Sequence, residues 1–280
     1  MMIQVGDYVV RISYNRDVLF KVLEIKSDGT VKLKGISYRI IADAPMEDLE
    51  LVGGMRFTNK ESYLMEQIQE TVKQIVSEQK ILKGNNKPIL QKTGKVLHID
   101  GDSFYLNLCM KYYETLGVTA VGENVLEFEQ PKKISNLLQK YNPDILVLTG
   151  HDSLNKNYKN LYDVNEYKNS KYFIEAVKEA RKARQNNKQL IIFAGACQSY
   201  FEALLEAGAD YAASPQRVLI HALDPVFIVE RIAYCPFNEV LPIEHAIKNT
   251  VTKFKGVGGY EILGVARKGG PVVGIIDAQS

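Results

Sequence analysis

Hydrophobic and polar positions change their period twice along this chain. Over residues 3–52, short runs rich in Val, Ile and Tyr (GDYVVRISY, VLFKVLEI, TVKLKGISYRIIA) are cut by Gly and by the turn KSDG. That pattern predicts a small β meander or barrel, an SH3-like module over residues 1–55. From Phe57 to about Leu82 the apolar spacing lengthens, with Tyr63, Ile68, Val72, Ile75 and Ile81 separated by polar residues. One long amphipathic helix is expected there. The stretch KILKGNNKPILQKTGK (80–95) then carries five lysines, two glycines, a proline and no acid. It reads as an exposed linker, so helix and linker occupy 56–94 and a second domain occupies 95–280.

Beyond Gly94 the wholly apolar runs KVLHI (95–99), DILVLT (144–149) and LIIFA (190–194), together with VTAVG (118–122) and DYAAS (210–214), read as strands. Helical patterns separate them over Ser103–Leu116, Pro131–Lys140, Ser170–Arg184, from Cys197 onward, and from Asp224 to about Ala233. Strands that are apolar throughout are buried on both faces, so this pattern predicts an α/β domain: a three-layer αβα sandwich around a mainly parallel sheet. GVGGY (256–260) reads as a turn rather than a dinucleotide fingerprint.

Composition narrows the function classes. The 280 residues hold 35 Lys+Arg against 33 Asp+Glu, and the balance holds in both parts, with 14 basic and 12 acidic residues in 1–94 and 21 of each in 95–280. Such balance excludes wholesale electrostatic coating of nucleic acid. No apolar run approaches the roughly 20 residues that span a bilayer, and MMIQVGDYVV lacks the plan of a secretory signal, so a cytosolic chain with no membrane partner is expected. Cys109, Cys197 and Cys235 are odd in number and widely spaced, which gives neither a disulfide framework nor a zinc pattern. No metal or other cofactor is expected.

In open α/β sheets the chemistry lies just past the carboxyl ends of the strands. After KVLHI comes Asp100-Gly101-Asp102, after DILVLT comes Gly150-His151-Asp152, and after LIIFA comes Gly195-Ala196-Cys197. One βαβ crossover separates His151 from Cys197, which puts both at the tips of neighbouring strands, and that spacing permits a Cys/His dyad. A helix starting at Cys197 would favour thiolate and offer amides to an oxyanion. Cys109 reads as helix core and His98 as a buried strand residue, while His221 and His245 are ambiguous. Asp100 and Asp102 have three readings: a cap for the helix at Ser103, a Mg²⁺ pair, or the lining of a pocket for a cationic side chain. The long polar loop 151–168 is expected to contact substrate.

The blocks VGDYVVRISYNRDVLFKVLEI, KGISYRIIADAPMEDLE, KVLHIDGDSFYL, DILVLTGHDSLN, AGACQSYFEALLEAGADYAASPQRVLIHALDPV and GVGGYEILGVARKGG resemble the YabG family of sporulation proteases from endospore-forming bacteria. The resemblance implies a cysteine peptidase of the mother cell and forming spore coat that processes coat and cortex-assembly proteins after arginine, with Cys197 and His151 in the catalytic positions. Self-processing is a further implication, with the lysine-rich linker or Arg56 as exposed targets. More distantly, strand-His followed by strand-Ala-Cys is similar to the caspase, legumain and gingipain clan, although here glycine precedes the histidine and Asp152 follows it. In that clan a charged residue just past the first strand helps select the P1 side chain, a place held here by Asp100 and Asp102. Two other readings stand beside this one. A glutamine-amidotransferase-like hydrolase would need His221 or His245 after the cysteine, and a non-catalytic coat-assembly scaffold would need neither.

Overall fold

The computed structural model describes residues 2–53, 59–84, 90–184 and 189–269. Five strands open the chain: β1 (Tyr8–Arg11), β2 (Leu19–Ile25), β3 (Thr30–Gly35), β4 (Ile41–Pro45) and β5 (Leu49–Leu51). They pair antiparallel in the order β4-β3-β2-β1-β5. Alternation sets their faces. Along β3, Val31 and Leu33 enter a core with Val9, Phe20 and Val22, while Lys32 and Lys34 lie on the other side. A hairpin joins β3 to β4, closed by the Gly35 N–H donating to the Ile40 carbonyl at 2.9 Å.

Helix α1 (Asn59–Gly84) follows, and Ile68 and Ile75 bury its apolar stripe in a core shared with Val147, Phe193 and Phe227. Tyr63 lies outside that stripe and is 61 % exposed. Five residues before Ile68 is about 140° round the helix at 3.6 residues per turn, so its spacing misled. Residues 85–89 of the expected linker lie outside the described residues, as does Arg56. The part just after them is β6 (Leu90–Lys92), a strand where plain linker was expected.

The chain continues through β7 (Val96–Asp100), α2 (Ser103–Thr115), β8 (Ala120–Asn124), α3 (Gln130–Tyr141) and β9 (Ile145–Thr149). Next come α4 (Ser170–Ala183), β10 (Ile191–Ala194), α5 (Phe201–Glu206), β11 (Tyr211–Ala213) and α6 (Asp224–Tyr234). Short elements finish the chain: β12 (Val240–Leu241), α7 (Ile243–Ile247), α8 (Lys253–Gly256), β13 (Val257–Gly259), β14 (Ile262–Leu263) and β15 (Arg267–Gly269). β15 pairs with β6 and β12 with β14, both antiparallel.

The main sheet runs β8-β7-β9-β10-β11-β13, parallel except for β13, which is antiparallel to β11. The turn expected at GVGGY is thus corrected to an edge strand. Three residues with two glycines carry no hydrophobic period by which to read it. Strand alternation supplies both faces of the sheet. Val96, Val147 and Phe193 pack with α2, α6 and α1, whereas Leu97, Leu146, Leu148 and Ile192 pack with α3, α4 and α5. The chain is therefore an α/β protein with helices over both faces of its parallel sheet. Because β8 flanks β7 on one side and β9 on the other, the strand order reverses at β7, and a crevice opens at the carboxyl ends of β7 and β9. Among the described residues no helix is long and apolar enough to cross a membrane.

Candidate active site

The ends of β7, β9 and β10 lie side by side, with Asp100 opposite Thr149 and Ala194 opposite Leu148. Just past them Lys34, Asp102, Glu127, His151, Cys197 and Leu219 border a cleft of about 610 Å³.

His151 is held on two sides. Its Nε2 lies 2.9 Å from Asp102 Oδ2, its backbone N–H donates to Glu127 Oε1 at 2.6 Å, and its ring meets Tyr105 edge-on at 5.6 Å. Nδ1 lies 3.3 Å from the Arg39 carbonyl. Glycine precedes it, and a Cβ there would sit 2.3 Å from Glu127 Oε1, so a larger residue would have to push that carboxylate aside. That packing also engages the His151 amide, so it is not free to receive an oxyanion.

Asp102 serves three partners at once. Oδ1 accepts from the Phe104 N–H at 2.9 Å, capping α2, while Oδ2 accepts from Lys34 Nζ at 2.6 Å and meets His151. Burial pushes its carboxyl up, but the bonds from His151 and Lys34 outweigh that and hold it at about 2. The cap reading is present, and with it a contact to His151 that no spacing had suggested.

Asp100, two residues earlier, faces the other way. It is fully buried, ion-paired with Arg39 of the β3–β4 hairpin, and accepts from the Thr149 hydroxyl at 2.9 Å and the Asp102 amide at 2.8 Å. Burial works against its charge, and the Arg39 guanidinium overrides it, so the carboxyl stays well below its usual range.

Cys197 follows β10 through Gly195, whose φ of +104° and missing Cβ, otherwise 2.8 Å from Leu204 Cδ1, suit glycine. The expected helix start at Cys197 is corrected: α5 begins at Phe201 and has six residues. Two features delay it. Gln198 is left-handed (φ 57°), and the Ser199 hydroxyl accepts from the Ala196 N–H at 2.9 Å. The thiol therefore sees single amides rather than a helix end. Ile220 N–H reaches Sγ at 3.4 Å, and the Arg39 backbone also hydrogen-bonds it. Burial dominates, for Cys197 is 1 % exposed and its thiol is pushed up to about 11.

Asp152 ties the two strand tips together. Its Oδ1 accepts from the Ser153 and Asn169 amides at 2.9 and 2.7 Å, and its Oδ2 from the Ser170 and Ser199 hydroxyls at 2.5 and 2.8 Å. The histidine loop, the start of α4 and the cysteine turn are thus pinned to one buried carboxyl. Loop 151–168 closes on itself through the Leu154–Tyr167 bridge, and Ser153 and Lys168 at its two ends line the cleft.

The remaining candidates lie elsewhere. His98 is a satisfied core residue between Tyr113 (3.1 Å) and Thr149 (2.8 Å), and Cys109 is fully buried in α2. His245 is exposed on α7, and the buried His221 accepts from the Leu223 amide at 3.1 Å. Lys34, Arg39 and Glu127 went unnoticed because they belong to no motif around His151 or Cys197. The one signal for Arg39 was a lone cation in the apolar run SYRII.

Residues 4–271 match the model of the peptidase family described as YabG peptidase U57. The chain belongs to the YabG peptidase family. It is 40 % identical over 286 residues to the sporulation-specific protease YabG of Bacillus subtilis (strain 168), an alignment covering 97 % of this chain and 99 % of that one. No solved structure matches the chain. As a member of the YabG family the protein is a peptidase, and its substrates are proteins.

Proposed function

We propose that the protein is a cysteine endopeptidase of sporulation that cuts spore coat and cortex-assembly proteins after arginine, in the mother cell and forming coat. A single observation supports this most: Cys197 and His151 stand past neighbouring parallel strands and border one cleft, with His151 Nε2 on Asp102. The strand order, with a single antiparallel strand at the β11 edge, supports a caspase-like sandwich, and the five antiparallel strands before it support an SH3-like module.

In this reading His151 Nδ1 takes the Cys197 proton as the sulfur attacks the carbonyl carbon of the arginine residue. It then gives the proton to the departing amine, and water cleaves the thioester. Asp102 keeps Nε2 engaged so that Nδ1 meets the substrate, making a triad where sequence spacing had suggested only a dyad. Asp100 supplies the negative charge that an arginine side chain would meet, with bidentate geometry favouring arginine over lysine. Self-processing belongs to the same proposal.

Hydrolysis of paired Arg- and Lys-containing peptides by wild type, Cys197→Ala, His151→Ala, His221→Ala and His245→Ala tests it. The first two variants are expected to lose at least about 10³-fold in kcat/KM, as removal of a nucleophile or base does, and the last two to retain activity. Activity in Cys197→Ala, or loss only at His221 or His245, would refute the assignment.

A further inference from the structure

The β3–β4 hairpin reaches out of the N-terminal sheet and inserts Arg39 at the carboxyl edge of the main one. Arg39 is 1 % exposed, which is rare for arginine unless it fills a site. Its guanidinium pairs with Asp100, lies 3.3 Å from Cys109 Sγ and 3.4 Å from the Ala222 carbonyl, and stacks 5.1 Å over the Tyr105 ring. Its backbone is as telling. The same residue hydrogen-bonds the Cys197 thiol and presents its carbonyl 3.3 Å from His151 Nδ1. Just upstream, Tyr38 bridges antiparallel to His221, and the Ala222 N–H donates to the Ser37 carbonyl at 2.8 Å. Adding an extended segment to a backbone edge is a common mode of peptide recognition. One arginine therefore touches the buried acid, the nucleophile and the base, with the preceding chain bound as a peptide would be.

We propose that Arg39 is the resident occupant of the pocket for a substrate arginine, and that the hairpin Gly35–Ile40 competes in cis with protein substrates until it lifts away. The proposal rests on the reading of this site as an arginine-directed cysteine peptidase, and it adds both the walls of the pocket and what fills it. Tyr105, Cys109 and the Ala222 carbonyl join Asp100 as those walls. The fit is imperfect, because Arg39 Nε is buried without a partner, and an occupant meant to leave needs no better. Nor does the hairpin run through the site as a peptide to be cut would. The Ile40 N–H folds back to the Tyr38 carbonyl at 2.8 Å, a γ-turn about Arg39 that breaks the extended backbone a cleaved peptide would adopt. The Tyr105 hydroxyl, 2.7 Å from the Gly35 and Tyr38 carbonyls, and Glu61 of α1, bonded to Ser37, hold the hairpin down.

The test uses the full chain with two readouts: KM for an arginyl peptide, and the rate at which iodoacetamide alkylates Cys197, followed by peptide mass spectrometry. Arg39→Ala, shown to be folded by circular dichroism, is expected to lower KM at least fivefold with kcat less affected, and to speed alkylation at least fivefold. Tyr105→Phe keeps the ring, loosens the clamp and is expected to shift both about twofold. It decides the matter should Arg39→Ala fail to fold. Wild-type KM and wild-type alkylation in a folded variant overturn the occupant. Faster alkylation with no arginyl hydrolysis by any variant sustains the occupant and overturns the peptidase reading instead.

Discussion

The two halves of the sheet's carboxyl edge are held in place by different parts of the chain. At the end of β7, Asp100 and Asp102 are paired with Arg39 and Lys34, both contributed by the N-terminal strands and their hairpin. At the ends of β9 and β10, the His151 and Cys197 tips are pinned by Asp152, Ser170 and Ser199, all from the segments around the main sheet. The backbone of the His151 and Cys197 tips is therefore fixed from within the main sheet, while the acid half is tied to the N-terminal strands by two ion pairs. The His151 ring still meets both, with Nδ1 3.3 Å from the Arg39 carbonyl and Nε2 on Asp102. Changes at Asp152 should damage chemistry and fold together. Changes around Asp102 and Lys34 should tune chemistry with small effects on folding.

The sharpest way to break this contrast is Asp152→Ala. Two amides and two serine hydroxyls would lose a buried acceptor, each unsatisfied group costing about 1–3 kcal/mol before relaxation. Thermal or urea unfolding is expected to report a loss of about 3 kcal/mol, and hydrolysis of an arginyl peptide to fall at least about 100-fold as the histidine and cysteine tips drift apart. Asp152→Asn should be far milder. Burial already pushes this carboxyl up, with Ser170 and Asn169 pulling it partly back, so a neutral isostere sacrifices little charge stabilisation. Equal stability of wild type and Asp152→Ala would show that the two tips are not joined through this residue.

Much of this was legible in the sequence, for definite reasons. DILVLT and LIIFA are apolar on both faces, and only strands between two helical layers need that, so β9 and β10 and their tips could be placed within a residue. His151 and Cys197 followed from those tips. The contacts that cross from one sheet to the other were not legible. Lys34 sits on β3 as one of two alternating lysines, and nothing local distinguishes the one that meets Asp102. The helix expected at Cys197 failed for a local reason hidden from pattern: a side-chain bond from Ser199 and a left-handed Gln198 compete with the first turn. Asp100 and Asp102 look equivalent in sequence, yet strand pleat turns one inward to Arg39 and the helix cap turns the other outward to His151.

Asp102→Asn separates positioning from folding. Asparagine can still accept from the Phe104 amide, so the α2 cap survives, whereas alanine at this position should cost about 1 kcal/mol. Toward His151 and Lys34, however, the amide can no longer offer a carboxylate, and the hold on Nε2 weakens. A fall in kcat of about 30-fold is expected, with KM near wild type and melting temperature almost unchanged, the pattern of a group that orients the base. A loss carried by KM instead would place Asp102 in substrate binding and merge it functionally with Asp100.

The smallest effect belongs to Lys34→Ala, and its pH dependence makes it informative. Asp102 is held at about 2 by its bonds to His151 and Lys34 against the opposing push of burial, so without Lys34 its carboxyl should climb toward the ordinary value near 4. For an acid lowered in the folded state, the stabilisation is complete above the unfolded value and is lost as pH falls through the folded one. Wild type should thus exceed Lys34→Ala by no more than about 1 kcal/mol at pH 7, since the pair is partly open to solvent. That difference should shrink between about pH 4 and pH 2, where both proteins come to hold a neutral Asp102. Melting curves at pH 7, 4 and 2.5 measure it, and activity should drop only about threefold because His151 stays engaged. A gap that stayed the same on acidification would mean that Lys34 stabilises the junction by packing its stem rather than by its charge, and that the acid half of the site leans on the N-terminal strands through shape alone.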